Sequence, residues 1–271
     1  MQVSVIVATY NRKDLLEKTI ESLKKQDYSD YEIIVIDDGS TDGTEEITGM
    51  KYFKQQNKGP AAARNLGIKK SSGEIIAFTD DDCVPKQDWI KNLVRPFSDP
   101  KVGAVEGKTV SSNTTPFTSQ VQNLRGGGFQ TCNIAYRKHV IDSVQGFDEN
   151  YLYAFNEDLD LAFKVMGIGS KIVFNENAIV HHPAIKNKLF NKKKVLKHLS
   201  DFKLYDRFPK LYKKYKAKNP YIGLFKQAFV SPIKRIIDYR KYFLRRPLSL
   251  VPFLIMNTLE GVYLWTKIIL K

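Results

Sequence analysis

Short apolar runs alternate with segments of helical periodicity through the first part of the chain. Val3–Ala8 is an apolar run that predicts a buried strand, and Leu15, Leu16, Thr19, Ile20 and Leu23 follow at the spacing of one helix face. The pattern recurs: Glu32–Ile36 reads as a strand, Thr44–Ile47 as a short helix, Tyr52–Gln55 as a strand, Ala61–Lys70 as a helix, Glu74–Thr79 as a strand and Gln87–Phe97 as a helix. Alternation of this kind, with short loops rich in Asn, Asp, Gly and Pro, predicts an α/β fold whose mainly parallel sheet is flanked by helices. No repeat of fixed period stands out.

Ligands of open parallel sheets sit beyond the carboxyl ends of the strands, so the residues there matter most. The first strand ends in Thr9-Tyr10-Asn11-Arg12, the second in Asp37-Asp38-Gly39-Ser40 and the fourth in Asp80-Asp81-Asp82. Asp and Ser at such places also cap helices, and an acidic turn can simply be solvated. Three adjacent carboxylates nevertheless repel one another unless a cation compensates, and hard oxygen ligands suit Mg²⁺ or Mn²⁺. Asp80 and Asp82 point the same way if strand geometry continues past Thr79. A carboxylate in the Asp37-Asp38 pair could accept the N3–H of a pyrimidine or a sugar hydroxyl. Gly59-Pro60-Ala61-Ala62-Ala63-Arg64-Asn65 opens a helix with small residues that permit close approach.

Charge divides the chain. Residues 1–185 carry 21 Lys and Arg against 25 Asp and Glu, a balance of −4, whereas residues 186–271 carry 22 against 4, or +18. The second part is a polycation suited to phosphate-bearing partners, and the boundary is placed near Ala184. Cys83 and Cys132 stand far apart in no metal-binding spacing, which predicts neither a disulfide framework nor a zinc site and fits a reducing, cytoplasmic setting. The amino-terminal residues read as a strand, without a basic leader or cleavage site, so export is not expected.

The segments Val5–Arg12, Val35–Asp42, Asn57–Asn65 and Phe78–Asp82 occur in the order and spacing of the successive motifs of the family-2 glycosyltransferases, which the sequence resembles. The likeness covers roughly residues 2–182 and continues through Gly146-Phe147-Asp148-Glu149 and Asn156-Glu157-Asp158-Leu159-Asp160-Leu161. It implies the GT-A fold, a Rossmann-like mixed but mainly parallel sheet. Residues 1–184 would form the catalytic domain, with a nucleotide-sugar half to about 110 and an acceptor half from about 111, and residues 185–271 a basic helical extension. It also implies roles: Thr9, Tyr10, Arg12 and Asp38 at the nucleobase, Arg64 and Asp81 at the nucleotide, and Asp80 with Asp82 as the DxD pair that meets the diphosphate through a divalent cation. Asp158 would be the catalytic base with Glu157 beside it, although acids in a first helical turn are also favoured by the helix dipole. Lys164 departs from the Arg expected there. His182, after Ala178-Ile179-Val180, is a further metal candidate by the same resemblance; the competing reading has His181 and His182 merely straddling a sheet.

The implied reaction is inverting transfer of a sugar from a nucleotide donor, with UDP first and dTDP or GDP as alternatives, to a hydroxyl on a glycan or lipid-linked acceptor. Acceptor contacts are expected in Ser111–Arg125 and the extension. The extension mixes Lys with Tyr, Phe and Leu, as in the helical patterns Lys192–Leu204 and Phe208–Tyr215. Leu248–Leu270 is apolar but interrupted by Pro252, Asn257, Glu260, Gly261 and Lys267, so it predicts an interfacial helix rather than a spanning one. The expected place is the inner face of the cell membrane, as a peripheral protein. The competing roles for the extension are packing on the catalytic domain or against another subunit of a homo-oligomer. Two other functions compete: nucleic-acid binding by the basic residues, which no recognised motif accompanies, and a metal phosphohydrolase, which lacks the additional ligands of a two-metal centre.

Overall fold

Val3, Val5 and Val7 are buried on one face of the first strand and Ile6 on the other, so the run predicted from sequence is covered on both sides. The computed structural model describes residues 1–112, 114–151, 155–186 and 199–269. It divides into two compact units, Met1–Ser112 with Val121–Pro183, and Asn113–Gln120 with Ala184–Lys271.

The first unit runs β1 (Val3–Thr9), α1 (Lys13–Leu23), β2 (Tyr31–Asp37), β3 (Lys51–Lys54), α2 (Pro60–Lys70), β4 (Ile75–Asp80), β5 (Val84–Pro85), α3 (Trp89–Val94), β6 (Val102–Ser112), β8 (Ile134–Arg137), α4 (Lys138–Ser143), α5 (Glu157–Gly167) and β9 (Lys171–Pro183). The sheet order is β3-β2-β1-β4-β8-β6-β9-β5. Strands β3, β2, β1 and β4 are mutually parallel; β8 runs antiparallel to β4 and β6, and β9 lies parallel to β6. On one face, Leu16, Ile20 and Leu23 of α1 join Val5, Val35 and Ala77 in the main core. On the other, α2 lies so close to β1 that a Cβ at Gly67 would come within 2.5 Å of Ile6 Cγ2, and that closeness explains a glycine inside a helix.

Two expected elements are shorter or tighter than their patterns. The segment read as helix Thr44–Ile47 is a 3₁₀ turn over Thr44–Glu46, and Gln87–Phe97 resolves into α3 followed by a 3₁₀ turn at Arg95–Ser98. Pro96 accounts for the second, because it offers no N–H to continue the α-helical ladder.

In the second unit β7 (Thr118–Ser119) pairs antiparallel with β10 (Ile185–Lys186), and the remaining elements among the described residues are helical. Helices cover Ser200–Arg207, Pro209–Tyr215, Pro220–Phe225, Ser231–Asp238, Arg240–Arg245 and Leu250–Ile269. Phe243 and Phe253 form a small buried centre with Phe117 against them. Of the helical patterns read in the sequence, Lys192–His198 and Leu270 lie outside the described residues. Among the described residues, no helix is long and apolar enough to cross a membrane.

Candidate active site

Parallel pairing puts three polar strand ends side by side, with Thr9 opposite Asp37 and Ala8 opposite Asp80. They open into a cleft of ≈ 360 Å³ lined by Thr9, Tyr10, Arg12, Asp38, Arg64, Asp80 and Asp81, together with Asn57, Gly59 and Pro60. Its size is that of an ordinary small-molecule site.

The two acids after β2 differ in what they hold. Asp37 is fully buried and structural: its Oδ1 accepts the Ser40 N–H at 2.7 Å and its Oδ2 accepts the Tyr52 hydroxyl. Asp38 faces the cleft and orders the turn before α2, accepting the Lys58 and Gly59 backbone N–H groups, each at 2.8 Å, and the Gln55 amide at 2.7 Å. A carboxylate has about four lone-pair sites, so three fixed donors leave Asp38 room for one bond to a ligand. Tyr10 lines the same cleft and is half exposed.

The carboxylates after β4 also divide their work. Asp81 is buried; it accepts Thr9 Oγ1 at 2.8 Å and Arg12 Nη1 at 2.6 Å. Burial pushes its carboxyl up to about 6 against the opposing pull of Arg12 and Thr9. Arg12 spans to Asp82 with its other nitrogen; burial works against its charge, and the two acids more than offset this, raising its basicity. Asp80 keeps a partly exposed side chain.

Asp80, Asp82, Cys83 and His182 bring ligand atoms within 4.8 Å of one another. His182 is buried while His181 is exposed, as expected of neighbours on a strand, and β6 pairs with both. The His182 Nδ1 lies 2.9 Å from the Pro183 carbonyl, which can only accept, so that nitrogen carries hydrogen. In the neutral ring Nε2 then presents a lone pair 3.5 Å from Asp82 Oδ1, an arrangement that a cation between them satisfies. Contact with Cys132 and burial raise the Cys83 thiol well above its ordinary range, and a soft sulfur is a poor match for a hard cation. Two carboxylates and an imidazole remain, a donor set that fits Mn²⁺ or Mg²⁺.

Arg64 joins the acidic helix α5 to this cluster. Arg64, buried in α2, donates from Nη1 to Glu157 Oε1 at 3.0 Å and from Nη2 to Asp80 Oδ1 at 3.3 Å, with its guanidinium 5.8 Å from the centre of the Phe147 ring. Glu157 Oε2 is buried without a hydrogen-bond partner among the described residues. Asp158 is half buried, its Oδ1 2.7 Å from the Leu159 N–H, and it adds to the field that raises the basicity of Arg64 against burial. Asn156, with φ +74°, turns the chain into the helix. Lys164, in place of the expected Arg, anchors backbone: its Nζ donates to the Gly146 carbonyl at 3.1 Å and lies 3.4 Å from Asp160.

The family model described as glycosyl transferase family 2 matches residues 4–195. The chain belongs to this family. It is 31% identical over 205 residues to glycosyltransferase AglE of Haloferax volcanii, covering 67% of either protein. It is also 45% identical over 91 residues to the GalNAc(5)-diNAcBac-PP-undecaprenol beta-1,3-glucosyltransferase of Campylobacter jejuni, where the match covers 30% of this chain and 29% of that protein. Among solved structures, S. aureus TarS 1-349 superposes with a TM-score of 0.58 at 25% identity over 68% of this chain and 60% of that one. Mannosyltransferase PcManGT from Pyrobaculum calidifontis, solved with GDP-Man and Mn²⁺, gives 0.59 at 19% identity over 97% of this chain and 87% of that one. The fold is therefore GT-A and the protein a glycosyltransferase.

Family membership leaves some of this glycosyltransferase's organising residues outside its motifs. Glu106, buried in β6, accepts Asn123 Nδ2 at 2.8 Å and the backbone N–H groups of Gly127 and Phe129, shaping the loop that follows Arg125. A buried acid inside an apolar strand, followed by a run of glycines, is the signal that points to it. Asn65 joins α2 to the Phe147 backbone at both N–H and carbonyl, and Phe147 packs edge-on against Phe78 at 5.3 Å.

Proposed function

We propose that this glycosyltransferase moves a sugar from a nucleoside diphosphate donor, UDP foremost, to a hydroxyl of a glycan or lipid-linked acceptor at the inner membrane face, inverting the anomeric centre. The observation that supports the reading is Arg64, a cleft residue that bonds both Asp80 of the carboxylate cluster and Glu157 in the first turn of α5. Residues 1–184 supply the catalysis and residues 185–271 the attachment.

Tyr10 stacks on the base, and Asp38 spends its remaining acceptor capacity on the base N3–H or on a sugar hydroxyl. Thr9, Arg12 and Asp81 brace the floor beneath the nucleotide. Asp80, Asp82 and His182 would hold the divalent cation, which supplies positive charge against the departing diphosphate. The acceptor oxygen attacks the anomeric carbon as the bond to the diphosphate oxygen breaks; the diphosphate keeps the electron pair, and Asp158 takes the hydroxyl proton. Glu157, fixed by Arg64, orients the acceptor.

Calorimetric titration with UDP, GDP and dTDP sugars in the presence of Mn²⁺ tests the donor. Tight binding of one nucleotide class that disappears in Asp80→Ala is expected; binding of none, or nucleic-acid binding without nucleotide-sugar turnover, would contradict it.

A further inference from the structure

The second unit carries a row of large apolar side chains that stay partly exposed. From Pro220 to Asp238 the backbone is one helical stretch, α-helical at Pro220–Phe225, a π turn over Lys226–Val230, and α-helical again at Ser231–Asp238. Every fourth residue along it is large and apolar, and Tyr221, Phe225, Phe229, Ile233 and Ile237 are each 44–61% exposed. On a uniform α-helix a spacing of four drifts about 40° per step. The wider π turn takes back part of that drift and keeps the stripe on one side. Pro232 accounts for the turn, because it cannot donate to the carbonyl four residues earlier and its ring crowds it.

The helix Leu250–Ile269 also presents aliphatic side chains at its surface. Val251, Leu254, Ile255, Leu259 and Val262 follow at spacings of three and four and are all exposed. Asn257 and Glu260 are half-buried near buried Phe253: Asn257 Nδ2 donates to the Phe253 carbonyl at 2.7 Å, and burial lowers the basicity of Arg235, 6.0 Å from the Phe253 ring centre, with the charge of Glu260 opposing that fall. A row of exposed aliphatic side chains suits a hydrocarbon neighbour. Lys226, Lys234, Arg240, Lys241, Arg245 and Arg246 are exposed along the same stretch.

We propose that these two apolar faces, Tyr221–Ile237 and Val251–Val262, insert into the headgroup boundary of an anionic bilayer, with the basic residues on lipid phosphates; this rests on the membrane part of the functional reading above. The occupant is lipid rather than a second copy because residues 186–271 carry +18, so two such surfaces would repel where an anionic one attracts. Attachment is interfacial, since among the described residues no helix is long and apolar enough to cross a membrane.

The test is co-sedimentation of the full chain with phosphatidylcholine vesicles, with and without phosphatidylglycerol, at low and high salt. Wild type is compared with Ile233→Glu/Ile237→Glu and Leu254→Glu/Ile255→Glu, with circular dichroism verifying that the variants are folded. Wild type is expected to bind anionic vesicles and to stay partly bound at high salt. Each double variant should bind at least about tenfold more weakly, as loss of well over 1.4 kcal/mol of apolar burial requires. Folded variants that bind like wild type would overturn the proposed face and leave attachment by charge alone. A wild type that ignores anionic vesicles would overturn both this face and the membrane part of the functional reading, and lipid-independent self-association lost in the variants would assign the face to a second copy.

Discussion

Arg64 Nη1 lies 3.0 Å from Glu157 Oε1, a buried ion pair that ties α2 to the first turn of α5 across 93 residues of sequence. Removing one partner leaves the other charge buried, which typically costs about 3–5 kcal/mol, whereas replacing both costs far less. Arg64→Met and Glu157→Leu are therefore expected to destabilise strongly in urea unfolding, and the double variant to cost less than the sum of the two. Additive losses would show that the pair is not coupled.

The carboxylates after β4 should separate stability from cation binding. Asp80 is partly exposed, whereas Asp82 is buried and bonded to Arg12. Asp80→Ala is predicted to lower the melting temperature less than Asp82→Ala, since Arg64 keeps Glu157, while Mn²⁺ binding, read by calorimetry, is lost. Asp82→Ala should lose both, and His182→Ala should weaken Mn²⁺ binding without abolishing the fold. Full Mn²⁺ affinity in Asp80→Ala would rule out this ligand set.

Asp38 illustrates how much of the site is legible in the residues alone. Strands β1, β2 and β4 stand out because both faces are covered and their sequences are nearly uniformly apolar; the polar residues at their ends then mark the cleft. What each acid does is not legible, since Asp37 and Asp38 are chemically identical and only the fold turns one toward Tyr52 and the other toward the Lys58 and Gly59 N–H groups. The same holds for Arg64, whose motif gives its place on α2 but not its reach to Glu157. Strands β6 and β9 escape a hydrophobic pattern for another reason: their register shifts between Gly107 and Lys108, and β9 carries exposed Glu176 and Asn177 in mid-strand.

Glu32 gives a pH dependence with a defined sign. Burial alone would raise its carboxyl, but Lys51, Ser4 and Ser72 hold it down to about 2 from an ordinary 4.5. A carboxyl depressed by folding stabilises fully above its unfolded value and loses that contribution as pH falls from about 4.5 toward 2. Glu32→Ala should therefore cost about 1–2 kcal/mol at neutral pH, where it strands the Ser4 and Ser72 donors, and progressively less as the pH approaches 2. Urea midpoints across that range check it; a pH-independent difference would contradict the assignment.

Asp158 carries the central claim, because only a proton acceptor at the start of α5 makes the cleft a transferase rather than a nucleotide-binding site. The direct measurement is release of nucleoside diphosphate from its sugar donor, with Mn²⁺ and acceptor present, by wild type and Asp158→Asn, alongside donor affinity. The account predicts unchanged donor binding and transfer reduced by a factor on the order of 10² or more. Near-normal turnover in Asp158→Asn would contradict it.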